Sequence, residues 1–287
     1  MTAILKHELR SYFHSLTAYV FGAFLLAFIG FGAMLYNIQE SVSNFEFVLG
    51  FSGIVFAVLV PILTMRVIAE EKRQKTDQLL YSLPVTTTQI VAGKYLALLI
   101  LFAIPLAVVG IYPLLFARYG EVSLMTAYGA LFAFFLTGAA LIALGVFISS
   151  LTESQGMAAG IGIAVILLNY YSVSLAEQVT ATAFGALVVL TALIFLLYFV
   201  IEHLTGHSKL ALALSGTLLA LTMIGYLFSP ESFEGLIPKI ISNLSVFARL
   251  DVFISGVFDL TGVVYFVSFA GLFLFLTVQS LEKKRYN

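Results

Sequence analysis

The chain has 287 residues, of which 61% are hydrophobic and 10% charged, and its mean hydropathy is +1.07. A water-soluble fold cannot hide that much apolar surface, so lipid is the solvent for most of the chain. A net charge of -1 leaves no basic footprint for nucleic acid, and the absence of cysteine excludes disulfides, thiol catalysis and Cys-based metal sites.

In chain order, the first 15 residues place Ile4, Leu5, Leu9, Tyr12, Phe13 and Leu16 on one face at helical spacing, beside Lys6 and Arg10. That pattern predicts a helix lying in the membrane interface; the other reading is a ragged start to the first span. The run that follows is too long for a signal-peptide core and lacks a clear small-x-small cleavage site, so it reads as a retained anchor. About 20 apolar residues cross a bilayer as a helix. Eight runs approach that length, near 16–36, 48–69, 93–116, 124–150, 157–175, 183–201, 209–228 and 258–281. The predicted fold class is therefore all-α, a polytopic membrane helix bundle forming a single transmembrane domain over 1–287.

Between the second and third runs lies a polar island that holds Arg66, Lys72, Arg73, Lys75 and Lys94 against Glu70, Glu71 and Asp77. Residues 70–83 read as a helix continuing from the second span, with Leu79, Leu80 and Leu83 as an apolar patch near its end. Pro84 disfavours helical geometry at Leu83 and stops it. Thr86-x-x-Gln89 then has capping-box spacing and starts a new helix. The segment 70–92 is thus a helix, a sharp turn and a helix, suited to fit a groove on a soluble partner. A solvated loop whose basic residues only fix topology is the alternative. A shorter polar turn at 149–156 carries Ser150-x-x-Glu153, again at capping-box spacing, a common pattern on its own.

Asn169, Tyr170 and Tyr171 cluster at the end of the fifth run, as belt residues or as substrate contacts. His203 and His207 stand four apart near Glu202, with no further ligand nearby, so they read as ordinary interfacial histidines and no metal is assigned. In 229–257, Phe233, Leu236, Ile237, Ile240, Ile241, Leu244 and Phe247 repeat at helical spacing, predicting one amphipathic helix that caps the bundle or gates an exit.

With the N-terminus cytoplasmic, eleven Lys and Arg residues fall on the inner side and three (Arg118, Lys239, Arg249) on the outer. The positive-inside rule then places both termini in the cytoplasm. No ionisable residue falls near the middle of a run, which argues against ion-coupled carriers, pumps and intramembrane hydrolases built on carboxylates or histidines. Nor is there a phosphate-cradling loop: Gly93-Lys94 is followed by Tyr95, and Thr88 stands where the first glycine belongs. Energy, where used, arrives from another chain.

The stretch PILTMRVIAEEKRQKTDQLLYSLPVTTTQIVAGKYLA resembles the first cytoplasmic loop of the ABC-2 family of transporter permeases, more narrowly the bacterial gliding-motility and multidrug-export type. ILKHELRSYFHSLTAYV, YPLLFARYG, ALGVFISSLTESQGMAA and the C-terminal SGVFDLTGVVYFVSFAGLFLFLT match in the same order. The likeness covers the first 160 residues well, the last 40 fairly and the middle poorly. It implies a six-helix core, with the extra hairpin near 183–228, in a bacterial inner membrane. It also implies a permease without catalytic residues, exporting a substrate by means of a separate ABC ATPase that holds ATP and Mg, with no cofactor on this chain. A second permease, identical or not, completes the dimer.

Carried over by position, Glu70, Glu71, Lys72, Arg73, Thr76, Leu79 and Leu80 make the main ATPase contact, and Thr152, Glu153 and Ser154 a smaller one. One departure is Lys75, where the family has glycine before the threonine. The charge-poor interior favours an apolar or amphipathic substrate. The alternative function is a membrane anchor for a cytoplasmic assembly such as motility machinery, in which substrate does not stimulate the ATPase.

Overall fold

The computed structural model describes residues 2–76, 85–178, 182–205 and 208–286, and all regular structure among them is helical. The fold is the expected helical membrane bundle. Five helical segments are long and apolar enough to cross a membrane: Leu16–Gln39, Glu46–Gln74, Thr87–Phe116, Leu124–Leu151 and Leu260–Lys283. Three shorter apolar helices, Gln155–Tyr170, Ala183–Phe199 and Leu212–Phe228, fall on the remaining three runs.

The chain divides into two compact units, residues 1–170 with 246–287, and residues 171–245. In the first, helix α1 (Thr2–His14) bends at Ser15 into α2 (Leu16–Ala33), whose last turns, Met34–Gln39, are π-helical. Helices α3 (Glu46–Ser52) and α4 (Phe56–Thr64) are joined by a 3-10 turn at Gly53–Val55, and α5 (Ala69–Gln74) follows a break. Thr86 caps α6 (Thr87–Val109): its hydroxyl accepts from the Gln89 N–H at 3.3 Å. Then come α7 (Tyr112–Phe116), α8 (Leu124–Leu151) and α9 (Gln155–Tyr170).

Helix α8 is the axis of this unit, packed on α4, α6, α9 and the final helix. Its small residues make that possible, since helices in lipid gain by close van der Waals approach rather than by expelling water. A Cβ on Gly138 would strike the Phe102 ring, and one on Gly145 would strike Thr64. Around them Phe56 lies 4.5 Å from Phe134 and 5.7 Å from Phe102, ring centre to ring centre, tying α4, α6 and α8 together.

The second unit holds α10 (Ser172–Gln178), the hairpin of α11 (Ala183–Thr205) and α12 (Ser208–Phe228), and α13 (Leu236–Leu244). The hairpin falls where the extra hairpin was expected. The single amphipathic helix expected within 229–257 is instead three pieces. A 3-10 turn at Pro230–Phe233 ends at Gly235, whose φ of 68° is left-handed, and α13 ends before Ser245. The first unit then resumes with α14 (Val246–Ile254) and α15 (Leu260–Tyr286). The Asp259 carboxylate accepts from the Thr261 and Gly262 N–H groups at 2.9 and 3.1 Å, which opens α15; the Thr261 side chain, together with these N–H groups, holds the Asp259 carboxyl below the usual range.

A charged joint at one end of the bundle

The second span reaches the polar island, but not as one unbroken α-helix. The α-helical hydrogen-bond ladder is interrupted over residues 65–68, so backbone groups that a continuous helix would pair are freed. Side chains from three distant elements take them up. Tyr12 of α1 donates to the Leu63 carbonyl at 3.3 Å, and Lys94 of α6 donates to the Val67 carbonyl at 3.1 Å. The Ser149 hydroxyl of α8 donates to the Met65 carbonyl at 3.2 Å and accepts from the Ile68 and Ala69 N–H groups at 3.2 and 3.1 Å. Burial, with the Glu8 carboxylate nearby, pushes the Tyr12 phenol well above its usual range, so it remains a donor.

Lys94 is only 2% exposed and carries two further partners, Glu8 Oε1 at 2.7 Å and Glu71 Oε1 at 2.6 Å. A buried ammonium is tolerated when its charge is paired and its three donors are used, and here all three are. Lys72, also buried, donates to the backbone carbonyl of Ser150, which Ser280 of α15 reaches at 3.5 Å. Arg66 pairs with Glu70 at 2.8 Å and reaches the Thr17 hydroxyl at 3.1 Å.

Helix α5 ends in a Schellman turn. The Thr76 N–H donates to the Glu71 carbonyl at 3.0 Å and the Lys75 N–H to the Lys72 carbonyl at 3.1 Å, with Lys75 at a left-handed φ of 57°. The helix expected over 70–83 is therefore begun at Ala69 and closed at Gln74. Leu79 and Leu80 lie outside the described residues.

The two polar turns read from the sequence meet here: α5 packs against α9 and against α8, where it bonds Ser149 and Ser150 near that helix's end. Within α5 the predicted contact residues divide. Lys72 is buried, Glu70 and Glu71 are half-buried, with Glu71 paired to the buried Lys94, and Arg73 and Thr76 are exposed. In the α8–α9 turn, Glu153 is exposed, and the Thr152 hydroxyl accepts from the Ser154 N–H at 3.1 Å. Ser150 does not cap α9 as its spacing suggested. It lies inside α8 with its hydroxyl on the Phe147 carbonyl, and Ser154 takes the capping place, accepting from the Met157 N–H at 3.4 Å.

Glu8 and Ser149 carry no motif, and Tyr12 reads only as part of an apolar face. One signal does exist for Glu8: it lies one turn before Tyr12 on the face that packs down, an acid on an otherwise apolar stripe. That face is rotated from the one expected, since Phe13 and Leu16 are exposed.

At the other end, the Asn169 side-chain carbonyl accepts from the Val246 N–H at 3.0 Å, and Tyr170 packs edge-on against Phe247 at 5.0 Å. Both thus hold the start of α14, while Tyr171 opens the second unit with its side chain about half exposed. His207 and the His203 side chain lie outside the described residues, and among the described ones no three His, Asp or Glu side chains gather as a metal site.

A family model described as "ABC-2 family transporter protein" matches residues 33–176, half of the chain. The match contains α5, the break before it, Lys94 and the α8–α9 turn. No curated protein matches the chain.

Proposed function

The chain belongs to the ABC-2 family of transporter proteins, and on that premise we propose that it is the membrane half of an ATP-driven exporter in which α5 and the α8–α9 turn together dock a separate ATPase. The observation that carries this reading is the joining of the two turns. Lys72 and Ser150 lie 78 residues apart in sequence and are hydrogen-bonded, so a push on one turn is felt by the other. Arg73, Lys75, Thr76 and Glu153 are exposed beside that joint. They offer charged and hydroxyl groups to a partner, while Glu71 and Lys72 hold the surface in shape.

In this arrangement ATP and Mg sit on the partner chain. Closure of two ATPases would displace the docked turns, and the helices attached to them would carry the displacement into the bundle. Two permeases face each other, the island lies on the cytoplasmic side, and the exported molecule is apolar or amphipathic. A mild-detergent pull-down of the chain from its native cell, with mass spectrometry of what accompanies it, tests the reading. A stoichiometric soluble chain with a phosphate-binding loop is expected. An intact, monodisperse protein without one would overturn it.

A further inference from the structure

We infer that Lys94 is a positioning residue that makes α1 and the start of α6 follow α5 when α5 moves. This rests on the reading of α5 as part of the ATPase dock. Between α1 and α5 lies open space. A cleft of about 460 Å³ is lined from both sides by Glu8, Ser11, Glu70, Glu71 and Gln74, with Lys94 in its wall.

Apolar packing does not close that gap. Two carboxylates, one on each helix, are instead held on a single ammonium that belongs to a third. The same ammonium holds the Val67 carbonyl in the break that leads into α5. One buried cation thus fixes α1, α5 and the root of α5 to the second turn of α6. The arrangement is stiff because withdrawing either carboxylate would leave the buried ammonium less fully paired. The Ser149 and Lys72 bonds join α5 to α8, and so cannot replace this link to α1.

The cysteine-free chain allows a direct test. Spin labels at Arg10→Cys and Arg73→Cys, both exposed positions, report the α1–α5 distance in lipid nanodiscs by pulsed electron resonance. A narrow distribution is expected for the parent and for Lys94→Arg, and a broad one for Lys94→Met. Glu8→Gln, which leaves Glu71 and Val67 in place, keeps the fold testable should Lys94→Met fail to assemble, and is expected to broaden the distribution as well. Widths unchanged in Glu8→Gln would overturn the inference.

In the complex with the co-purified ATPase, trapping with ATP and vanadate should shift the Arg10→Cys label relative to a second label at Met125→Cys, an exposed position on α8, in the parent. Glu8→Gln should capture the ATPase as well as the parent yet lose that shift, which a merely structural role would not predict. A parent chain that captures no ATPase would overturn the docking reading alone. The distance widths in the isolated chain would still decide the clamp.

Discussion

Lys72 and Ser150 meet end to backbone: the ammonium of one donates to the carbonyl that closes α8. The contact makes Lys72 a bolt in the joint rather than part of its outer surface. Replacing it with Met leaves the stem and removes the charged hydrogen bond, at a cost of about 1.5–3 kcal/mol. Lys72→Met should therefore lower the thermal stability of the purified chain in detergent. Arg73→Ala, one residue on and exposed, should leave stability unchanged and weaken ATPase capture. Equal unfolding temperatures for parent and Lys72→Met would refute this division.

Lys75 closes the Schellman turn with a left-handed backbone that glycine adopts freely and lysine does not. Lys75→Gly is expected to stabilise the turn by about 1 kcal/mol, and Lys75→Val to destabilise it. Protease nicking of the segment after α5, followed by gel, reads this directly: slower in the first variant, faster in the second. The departure from the family glycine is thus one of side chain, in a turn that has kept the geometry glycine favours.

Gly145 and Gly271 make a matched pair. A methyl on Gly145 runs into Thr64 of α4, whereas nothing lies within 4 Å of one on Gly271. Gly145→Ala should cost about 1–3 kcal/mol through overpacking and reduce the monodisperse fraction on size-exclusion chromatography. Gly271→Ala should elute like the parent. Identical profiles for both variants would contradict the packing of α8 on α4.

Orientation is open to chemistry because the chain has no cysteine. A thiol placed at the exposed Thr76 should react with an impermeant maleimide only from the cytoplasm, and one at the exposed Ser232 only from outside. The reverse pattern would invert the topology and remove α5 from reach of any cytoplasmic ATPase.

The apolar runs, the helix before the first span and the Thr86 cap were all legible in the sequence, because each is written in neighbouring residues. The break at 65–68 was not. It contains neither Pro nor Gly, and what holds it open is Tyr12, Lys94 and Ser149, far away in the chain. The same holds for the split of 229–257. Apolar periodicity runs through Ser245 without a pause, and α14 is held beyond it by Asn169 and Tyr170 from another helix. Positive charges in the island were easy to see, but which of them point inward depends on carbonyls and carboxylates that no local pattern displays.

The order of the clamp residues also bears on how the protein is made. Glu8 and Glu71 both leave the ribosome before Lys94. A lysine carried toward the bilayer on a nascent helix is costly, by roughly 2.5–3.5 kcal/mol at mid-membrane and less near an end. Both carboxylates that pair with the ammonium in the folded chain are thus synthesised before it. A chain shortened to begin at α2 would present the translocon with the same lysine and one acid fewer.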